Sequence, residues 1–294
     1  MNNEVKTLKK SFVMAILSLL LLLVIATGAT YAWFTNNMKV NTNSVSVHSD
    51  TSKLVLELGD ADRGSWSQQG DASLASTANG AVTLYPVSTF DLNGFAACAQ
   101  NNSAGDATVF EQAKDNGSAF YHGWIDLRPT ITGTGASKVA GKVNLYLAES
   151  LAPQGADAEL LRAARVGIKI SSGNQVLATN IFELDSSDSG HRGEHPTTAP
   201  AGLAGYADGM LLGWQNSQLA CGTNVTQDPA AFTLDTSETA TRPQNTLATL
   251  ALGQTYRLDI YYYIEGTDPD SADYLYQDPG TLHLALFATL DGEA

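Results

Sequence analysis

Apolar and polar side chains alternate along much of this chain, which is the pattern of strands with one buried face. The pattern is clearest in residues 256–264, and it resumes after an acidic turn in residues 282–290. Residues 166–170 lead through Ser-Ser-Gly173-Asn174 into a second apolar run, which predicts a hairpin. Shorter candidate strands are residues 45–49, 81–87 and 119–127. The side chains predicted to face a core are Leu54, Leu56, Leu58, Val139, Val143, Leu145, Leu147, Val166, Ile168, Ile170, Tyr256, Leu258, Ile260, Tyr262, Ile264, Leu282, Leu284, Leu286 and Leu290.

Helical character is confined to residues 156–165, between Gly155 and Gly167. One short helix among many strands and glycine-rich turns is typical of a sandwich or a jelly roll. We therefore expect an all-β, jelly-roll-like β-sandwich over residues 53–294. Residues 59–80 and 186–209 are rich in small and polar side chains, and we expect long loops there.

The first 32 residues have the three parts of a secretory signal peptide. Three lysines precede an uncharged apolar run at residues 12–26, and small residues follow it. This order predicts a secreted or cell-surface protein. The alternative is an uncleaved membrane anchor, because extending the apolar run to Ala32 reaches about the 20 residues that a spanning helix needs.

The small residues after the apolar run predict where the leader is cut. Signal peptidases need small side chains one and three positions before the bond, and Ala32 and Thr30 provide them. Ala29 and Thr27 satisfy the same requirement, but we favour the bond between Ala32 and Trp33. Residues 33–52 would then be a separate N-terminal strand segment ahead of the sandwich.

The charge of the chain limits its partners. The net charge is −14, and removing residues 1–32, which carry three lysines and Glu4, would change it by −2, to about −16. A strongly acidic chain is a poor ligand for nucleic acid, whose phosphates require lysine and arginine. It is better suited to basic partners or divalent cations outside the cell.

Two cysteines, Cys98 and Cys221, are present. An exported protein is permitted a disulfide, and this one would close a loop of over a hundred residues, worth roughly 4–5 kcal/mol in the chain-entropy description. Two unrelated buried thiols are the alternative, and the sequence leaves both open.

A zinc-protease motif occurs in the second of the two long loops. His191, Glu194 and His195 match the H-x-x-E-H pattern of inverted zincins. Such enzymes carry both histidines on one face of a helix, whereas here Gly193 interrupts the motif and Pro196 follows it. We therefore interpret the segment as a solvated loop and expect no catalysis, with a zinc metalloprotease as the minor alternative.

Four carboxylates, Glu265, Asp268, Asp270 and Asp273, crowd the turn that follows residues 256–264. Clustered oxygen ligands suit Ca²⁺, although the spacing is not that of an EF-hand. The alternative is an acidic hairpin loop that its charges keep soluble, and we expect no other cofactor. Tyr261 and Tyr263 fall on the predicted outer face of the preceding strand, where they could bind sugar rings or simply pack.

The residues Gly28-Ala-Thr-Tyr-Ala-Trp-Phe-Thr35 resemble the processing junction of the TasA and camelysin family. In that family the signal peptidase SipW releases matrix proteins of Gram-positive bacteria. Leu84-Tyr-Pro-Val-Ser88 and Ile264-Glu-Gly-Thr-Asp-Pro-Asp270 are also similar to blocks in relatives with this signal. The two cysteines and the histidine-bearing loop depart from the best-known members.

The resemblance implies a non-enzymatic jelly roll that is secreted to the cell surface and joins a biofilm matrix. Its partners would be a SipW-type peptidase and other matrix subunits, including copies of itself, with membrane contact only through the uncleaved precursor. The freed segment 33–49 would add as a strand to the next subunit, anchored by Met38 and Val40 or by Val45 and Val47. A camelysin-like metalloprotease and a surface adhesin or carbohydrate-binding module are the alternatives.

Overall fold

The computed structural model describes residues 44–49, 54–60, 64–67, 72–77, 84–100, 107–113, 119–132, 141–149, 151–184, 203, 205–206, 210–223, 226–234, 245–268, 270–271 and 280–291. The chain divides into two compact units, Met1–Asn41 and Thr42–Ala294, and every described residue belongs to the second. Among these residues, no helix combines the length and the apolar character needed to cross a membrane.

Strands dominate the described part of the chain, which confirms the prediction of a mainly-β fold with one short helix. The α-helix, α1, is Leu160–Ala163, and a 3-10 helix covers Pro229–Phe232. The strands are β1 Ser44–Ser49, β2 Leu54–Asp60, β3 Ser65–Ser67, β4 Ala72–Ser73, β5 Ala75–Ser76, β6 Pro86–Ser88, β7 Phe95–Gln100, β8 Ala107–Ala113, β9 Tyr121–Ile131, β10 Lys142–Leu147, β11 Ala164–Ser172, β12 Gln175–Glu183, β13 Leu211–Gln215, β14 Gln218–Gly222, β15 Ala248–Ala251, β16 Tyr256–Glu265 and β17 His283–Leu290.

A large mixed sheet is organised around β16. Its ten strands include the path β3-β2-β9-β16-β6-β7-β8, while β11 also pairs with β16, β12 pairs with β11, and β5 pairs with β9. Most of these pairs are antiparallel, but the short contact between β16 and β6 is parallel. The long strand β16 therefore holds the sheet together through three different neighbours.

A five-stranded sheet and a two-stranded sheet complete the described fold. The five-stranded sheet has the order β15-β10-β17-β1-β4, and β13 pairs with β14 in the smallest sheet. Within the five-stranded sheet, β1 and β17 are parallel although they lie at opposite ends of the described chain. Parallel neighbours cannot be joined by a hairpin, so long-range packing fixes this pair.

One hydrophobic cluster receives side chains from both larger sheets. Successive residues of a strand point to opposite faces, so the alternation in the sequence places one face of each strand in this core. The large sheet contributes Leu54, Leu56, Leu58, Ile125, Leu127, Val166, Ile168, Leu258 and Ile260, and the five-stranded sheet contributes Val45, Val143, Leu145, Leu250, Leu284 and Leu286. The predicted core is confirmed at Leu54, Leu56, Leu58, Val143, Leu145, Val166, Ile168, Leu258, Ile260, Leu284 and Leu286, whereas the sequence pattern had not named Val45, Ile125, Leu127 and Leu250 as core residues.

The opposite face of β16 is also buried, contrary to the expectation of an exposed aromatic face. Tyr261 and Tyr263 are 5% and 0% exposed, and they pack with Phe95 and Phe120 in a second apolar cluster. The prediction was wrong because alternation identifies one buried face and does not show whether another layer covers the second.

The predicted hairpin is confirmed, whereas the helix is shorter than expected. Strands β11 and β12 pair antiparallel across a two-residue turn in which Gly173 has a φ of 56°. The predicted helix 156–165 shrinks to the single turn of α1, because Ala164 and Arg165 pair with β16 instead. The loop expected at 59–80 contains three short strands, β3, β4 and β5.

Candidate functional site

The position of β1 is the first site of interest, because the predicted strand-donor segment reaches it. All six residues of β1 pair with β17, from Ser44 beside His283 to Ser49 beside Ala288. On its other side β1 pairs with only two residues of β4. The side chain of Val45 is fully buried in the main core, which by area burial is worth about 1.5–3 kcal/mol.

Six of the 17 residues in the predicted donor segment 33–49 are thus paired within their own chain. Val45 is the anchor that the structure describes, and β1 is separated from β2, in the other large sheet, by residues 50–53 alone. Residues 33–43, which include the alternative anchors Met38 and Val40, lie outside the described residues, as do Thr30, Ala32 and Trp33 at the predicted cut. Exchange of β1 between chains stays a prediction.

A buried polar cluster forms where the two sequence blocks 84–88 and 264–270 meet. The end of β16 runs parallel to β6, with Ile264 beside Pro86 and Glu265 beside Val87. The backbone N–H of Gly266 donates to the carbonyl oxygen of Val87 at 2.9 Å. The blocks are far apart in the sequence, and this pairing brings their side chains into one region.

Arg165 is the cation of this cluster, and its side chain is 3% exposed. Its Nη2 donates to Asp268 Oδ2 at 2.6 Å and lies 4.0 Å from Glu183 Oε1. Its Nη1 donates to the carbonyl oxygens of Arg162 and Ala164 at 2.9 and 3.1 Å. Burial opposes the charge of Arg165, but Asp268, Glu183 and Glu265 outweigh it and raise the pKa of the guanidinium.

The acidic turn after β16 is folded inward around its own carboxylates. Glu265 Oε1 accepts hydrogen bonds from the N–H and hydroxyl of Thr267 at 3.2 and 2.8 Å. Asp268 Oδ1 accepts from the N–H of Asp270 at 2.9 Å. Glu265 and Asp268 are 1% and 0% exposed. The interpretation of a solvated acidic loop is therefore wrong for these two residues.

Glu265 is the most strongly perturbed carboxylate of the cluster. Burial raises its pKa to about 7, and the Ser88 hydroxyl, Arg165 and Thr267 only partly oppose this. A carboxyl group in such surroundings holds its proton up to nearly neutral pH. The cluster is consequently a place where a small change of pH alters a buried charge.

Cys98 adjoins the same turn, whereas Cys221 belongs to β14. A Cβ atom placed on Gly266 would lie 2.6 Å from Cys98 Sγ, so the thiol packs directly against the turn. Burial and then the charge of Glu265 raise the pKa of Cys98 well above its ordinary value, which makes the thiol unreactive. Cys98 is buried, Cys221 is half-buried, and both are free thiols, so the structure does not form the disulfide that the sequence left open.

The predicted metal ligands are only partly within the described chain. Glu265, Asp268 and Asp270 are described, while Asp273, His191, Glu194 and His195 lie outside. Within the described ranges, no group of three histidine, cysteine, aspartate or glutamate side chains is arranged to hold a metal ion. Asp268 fixes the turn to Arg165, and Glu265 and Asp268 accept hydrogen bonds from within the turn.

Sequence reasoning missed Arg165 and Glu183 as members of this cluster. The sequence pattern places Arg165 at the end of a helix, and Glu183 ends β12 directly after the apolar Ile181 and Phe182. Their side chains are buried only because β11, β12 and the turn after β16 converge. A charged residue flanked by buried strand positions was the only available hint.

Comparisons with protein-family models, with curated proteins and with solved structures give no match.

Proposed function

We propose that this chain is an exported structural protein of the cell surface or extracellular matrix, and that its copies associate by exchanging their N-terminal strands. The observation that carries the proposal is the six-residue parallel pairing of β1 with β17. In this proposal the protein is not an enzyme, its sandwich is of the jelly-roll type, and a SipW-type peptidase frees the N-terminus by cutting after Ala32.

The parallel pairing supports exchange because β1 and β17 are not neighbours in the chain. The position beside β17 can be filled by β1 of the same chain or of another copy, with the same register and the same buried Val45. Exchange of an identical element is a low-cost route to assembly, since the same interactions form between two copies as form within one. Only four residues, 50–53, connect β1 to β2, so exchange would carry β1 away from β2 of its own chain.

The proposed exchange also explains why the leader would control assembly. A membrane-bound N-terminus restricts where residues 33–49 can reach, whereas a freed one can enter a neighbouring subunit. Strand addition supplies main-chain hydrogen bonds for affinity and alternate side chains for specificity. Val45 is the described side chain that would provide this specificity.

The test is assembly of purified chains that begin at Trp33, followed by sedimentation and electron microscopy. We expect head-to-tail fibres, and we expect Val45→Asp to abolish them, because a buried unpaired carboxylate costs several kcal/mol. Val176→Asp is the matched control, because Val176 is 46% exposed on β12, and it should assemble normally.

A peptide of residues 33–49 separates loss of exchange from loss of folding. Added in excess to wild-type chains, it should occupy the position beside β17 and shorten the fibres, whereas the same peptide with Val45→Asp should not. Fibres of unchanged length in the presence of the wild-type peptide, or fibres formed by chains that lack residues 33–49, would refute the exchange.

A further inference from the structure

The large sheet has a polar and aromatic region on the face that points away from the main core. Ile125, Leu127 and Leu258 face the core, so the residues that alternate with them along β9 and β16 point to the opposite side. Those residues include Trp124, Asp126, Arg128, Arg257 and Asp259, and Trp66 on β3 joins them from the edge of the sheet. We name Trp66, Trp124, Arg128 and Arg257 the Trp–Arg face.

The first half of this face is a tryptophan, an arginine and a buried glutamate. The Cζ atom of Arg128 lies 4.1 Å from the centre of the Trp66 ring, and its Nε donates to Glu57 Oε2 at 2.6 Å. Glu57 stands directly opposite Arg128 in the pairing of β2 with β9. The guanidinium is therefore held on one side by a ring and on another by a carboxylate.

The second half repeats this arrangement on the neighbouring strand. The Cζ atom of Arg257 lies 4.9 Å from the Trp124 ring, and its Nε donates to Asp259 Oδ1 at 3.0 Å. The same Asp259 oxygen lies 2.9 Å from His122 Nε2, and the ring of His122 stacks on Tyr261. Asp259 is fixed from both sides, and it fixes Arg257 in turn.

The register places the two arginines close together. Arg257 stands opposite Asp126, and Arg128 lies two residues farther along β9 on the same face. Diagonal neighbours of this kind are about 7–8 Å apart. Both guanidinium groups therefore belong to a single surface, which also carries Asp126 of β9.

Exposure within each ion pair is unequal, and this determines what the face presents to solvent. The side chains of Arg128 and Arg257 are 31% and 45% exposed, whereas those of Glu57 and Asp259 are 6% and 7% exposed. The carboxylates of Glu57 and Asp259 lie beneath the guanidinium groups, and Asp126 is half-buried opposite Arg257. Both described hydrogen bonds of these side chains use Nε, so the terminal Nη groups keep their donors for a partner.

We propose that the Trp–Arg face binds an acidic surface of a second copy of this chain. Tryptophan and arginine are the residues that most often dominate the energy of protein interfaces, and a guanidinium held on an aromatic ring loses little freedom on binding a carboxylate. The chain carries 30 acidic against 16 basic side chains, so most charged groups on another copy are carboxylates, to which a guanidinium can bind.

This contact differs from strand exchange in both geometry and chemistry. A face whose outermost charged groups are guanidinium groups joins a different, acidic patch on the next copy, and such heterologous contacts continue from copy to copy unless they close into a ring. The contact uses no residue of β1 and depends on charge, so salt weakens it. The Trp–Arg contact can therefore be tested independently of the proposed function.

The experiment is sedimentation equilibrium of the chain that begins at Trp33, in about 50 mM and about 500 mM NaCl. Excess peptide of residues 33–49 is present throughout, so that strand exchange does not contribute to the association. We expect association at low salt that weakens at high salt. The variant Arg128→Lys/Arg257→Lys keeps both charges but loses the planar forks, and its dissociation constant should rise about tenfold or more. Arg162→Lys, at an exposed arginine of α1, is the matched control and should associate like the wild type.

Thermal unfolding of the double variant must first match that of the wild type to within a few degrees. If it does not, Trp66→Phe, which keeps a ring beneath Arg128, replaces it and should weaken association in the same direction. Association that is unchanged in these folded variants, or wild-type chains that stay monomeric at low salt, would overturn the proposal. Binding of polygalacturonate by the wild type without self-association would assign the face to a glycan and overturn it equally.

The two proposals fail in different ways. If the peptide of residues 33–49 shortens the fibres while the arginine variants associate normally, strand exchange is supported and the Trp–Arg contact is refuted. If the arginine variants weaken association and the peptide has no effect, the opposite follows.

Discussion

At the scale of single residues, Arg165 and Glu265 show how this fold accommodates buried charge. Arg165 is buried with Asp268 at 2.6 Å and Glu183 at 4.0 Å, and Glu265 adds a third carboxyl group. One cation cannot neutralise three carboxylates, so protonation of one of them lowers the cost of burial. Glu265, whose pKa burial raises to about 7, is the carboxyl group that takes the proton.

The raised pKa of Glu265 predicts that the free energy of unfolding falls as the pH rises. Folding raises its pKa from 4.5 to about 7, so the native state binds this proton more tightly than the unfolded chain does. The stabilisation is complete at a pH below the pKa of Glu265 in the unfolded chain, and it is lost as the pH approaches the pKa in the folded protein. Relative to Glu265→Gln, we expect the free energy of unfolding of the wild type to fall by about 3 kcal/mol over this interval, measured by urea denaturation.

Glu149→Gln is the control for this measurement, because the Glu149 side chain is 53% exposed. Its unfolding free energy should follow that of the wild type at every pH. Wild-type and Glu265→Gln curves that stay parallel between pH 4.5 and 7 would show that Glu265 is ionised throughout.

Replacement of Arg165 tests the same cluster from the cationic side. Arg165→Met keeps much of the side-chain volume but leaves three buried carboxyl groups without their counter-charge. Such losses cost about 3–5 kcal/mol, and thermal denaturation should show this as a large drop in Tm. Arg162→Met removes an exposed arginine in the same segment and should change Tm little. Equal Tm values for the two variants would contradict the role assigned to Arg165.

At the scale of elements, the β11–β12 hairpin depends on local backbone chemistry, and β16 depends on its neighbours. The hairpin turn contains Gly173 at a φ of 56°, a conformation that glycine adopts without strain. Strand β16 has no such local determinant at its end, where it gains β6 as a parallel neighbour and the cluster around Arg165. The first element is specified by a few adjacent residues and the second by contacts across the chain.

The turn predicts an order of stabilities for substitutions at Gly173. No atom lies within 4 Å of a Cβ placed there, so backbone strain alone determines the effect. We expect Gly173→Ala to lower the free energy of unfolding by about 1 kcal/mol, and Gly173→Asn to lower it less, because asparagine tolerates the left-handed region. Denaturant unfolding of the two variants provides the measurement. An alanine variant as stable as the wild type would mean that the turn changes conformation.

At the scale of the whole molecule, the two larger sheets share one core, and strands from both ends of the described chain meet in one of them. The pairing of β1 with β17 is the long-range contact that the proposed strand exchange would repeat between copies. The Trp–Arg face belongs to the large sheet and uses none of these strands. The two proposed contacts therefore use different strands of the fold.

The sequence alone predicted the mainly-β fold, the β11–β12 hairpin and the core positions of β2, β16 and β17. These features follow from alternation and from a glycine-containing turn, which are local properties. It did not predict that Tyr263, Glu265 and Asp268 are buried. Polar residues on strands and turns usually face solvent, and alternation cannot show which second layer covers them.

The residues of the chain determined which segments become strands and which face of each is apolar, because side-chain direction alternates with every residue. The tertiary structure decided the partner of β1, the burial of three carboxylates around Arg165 and the outward placement of Arg128 and Arg257. These outcomes depend on contacts between segments far apart in the chain, and such contacts form only when the sheets pack together.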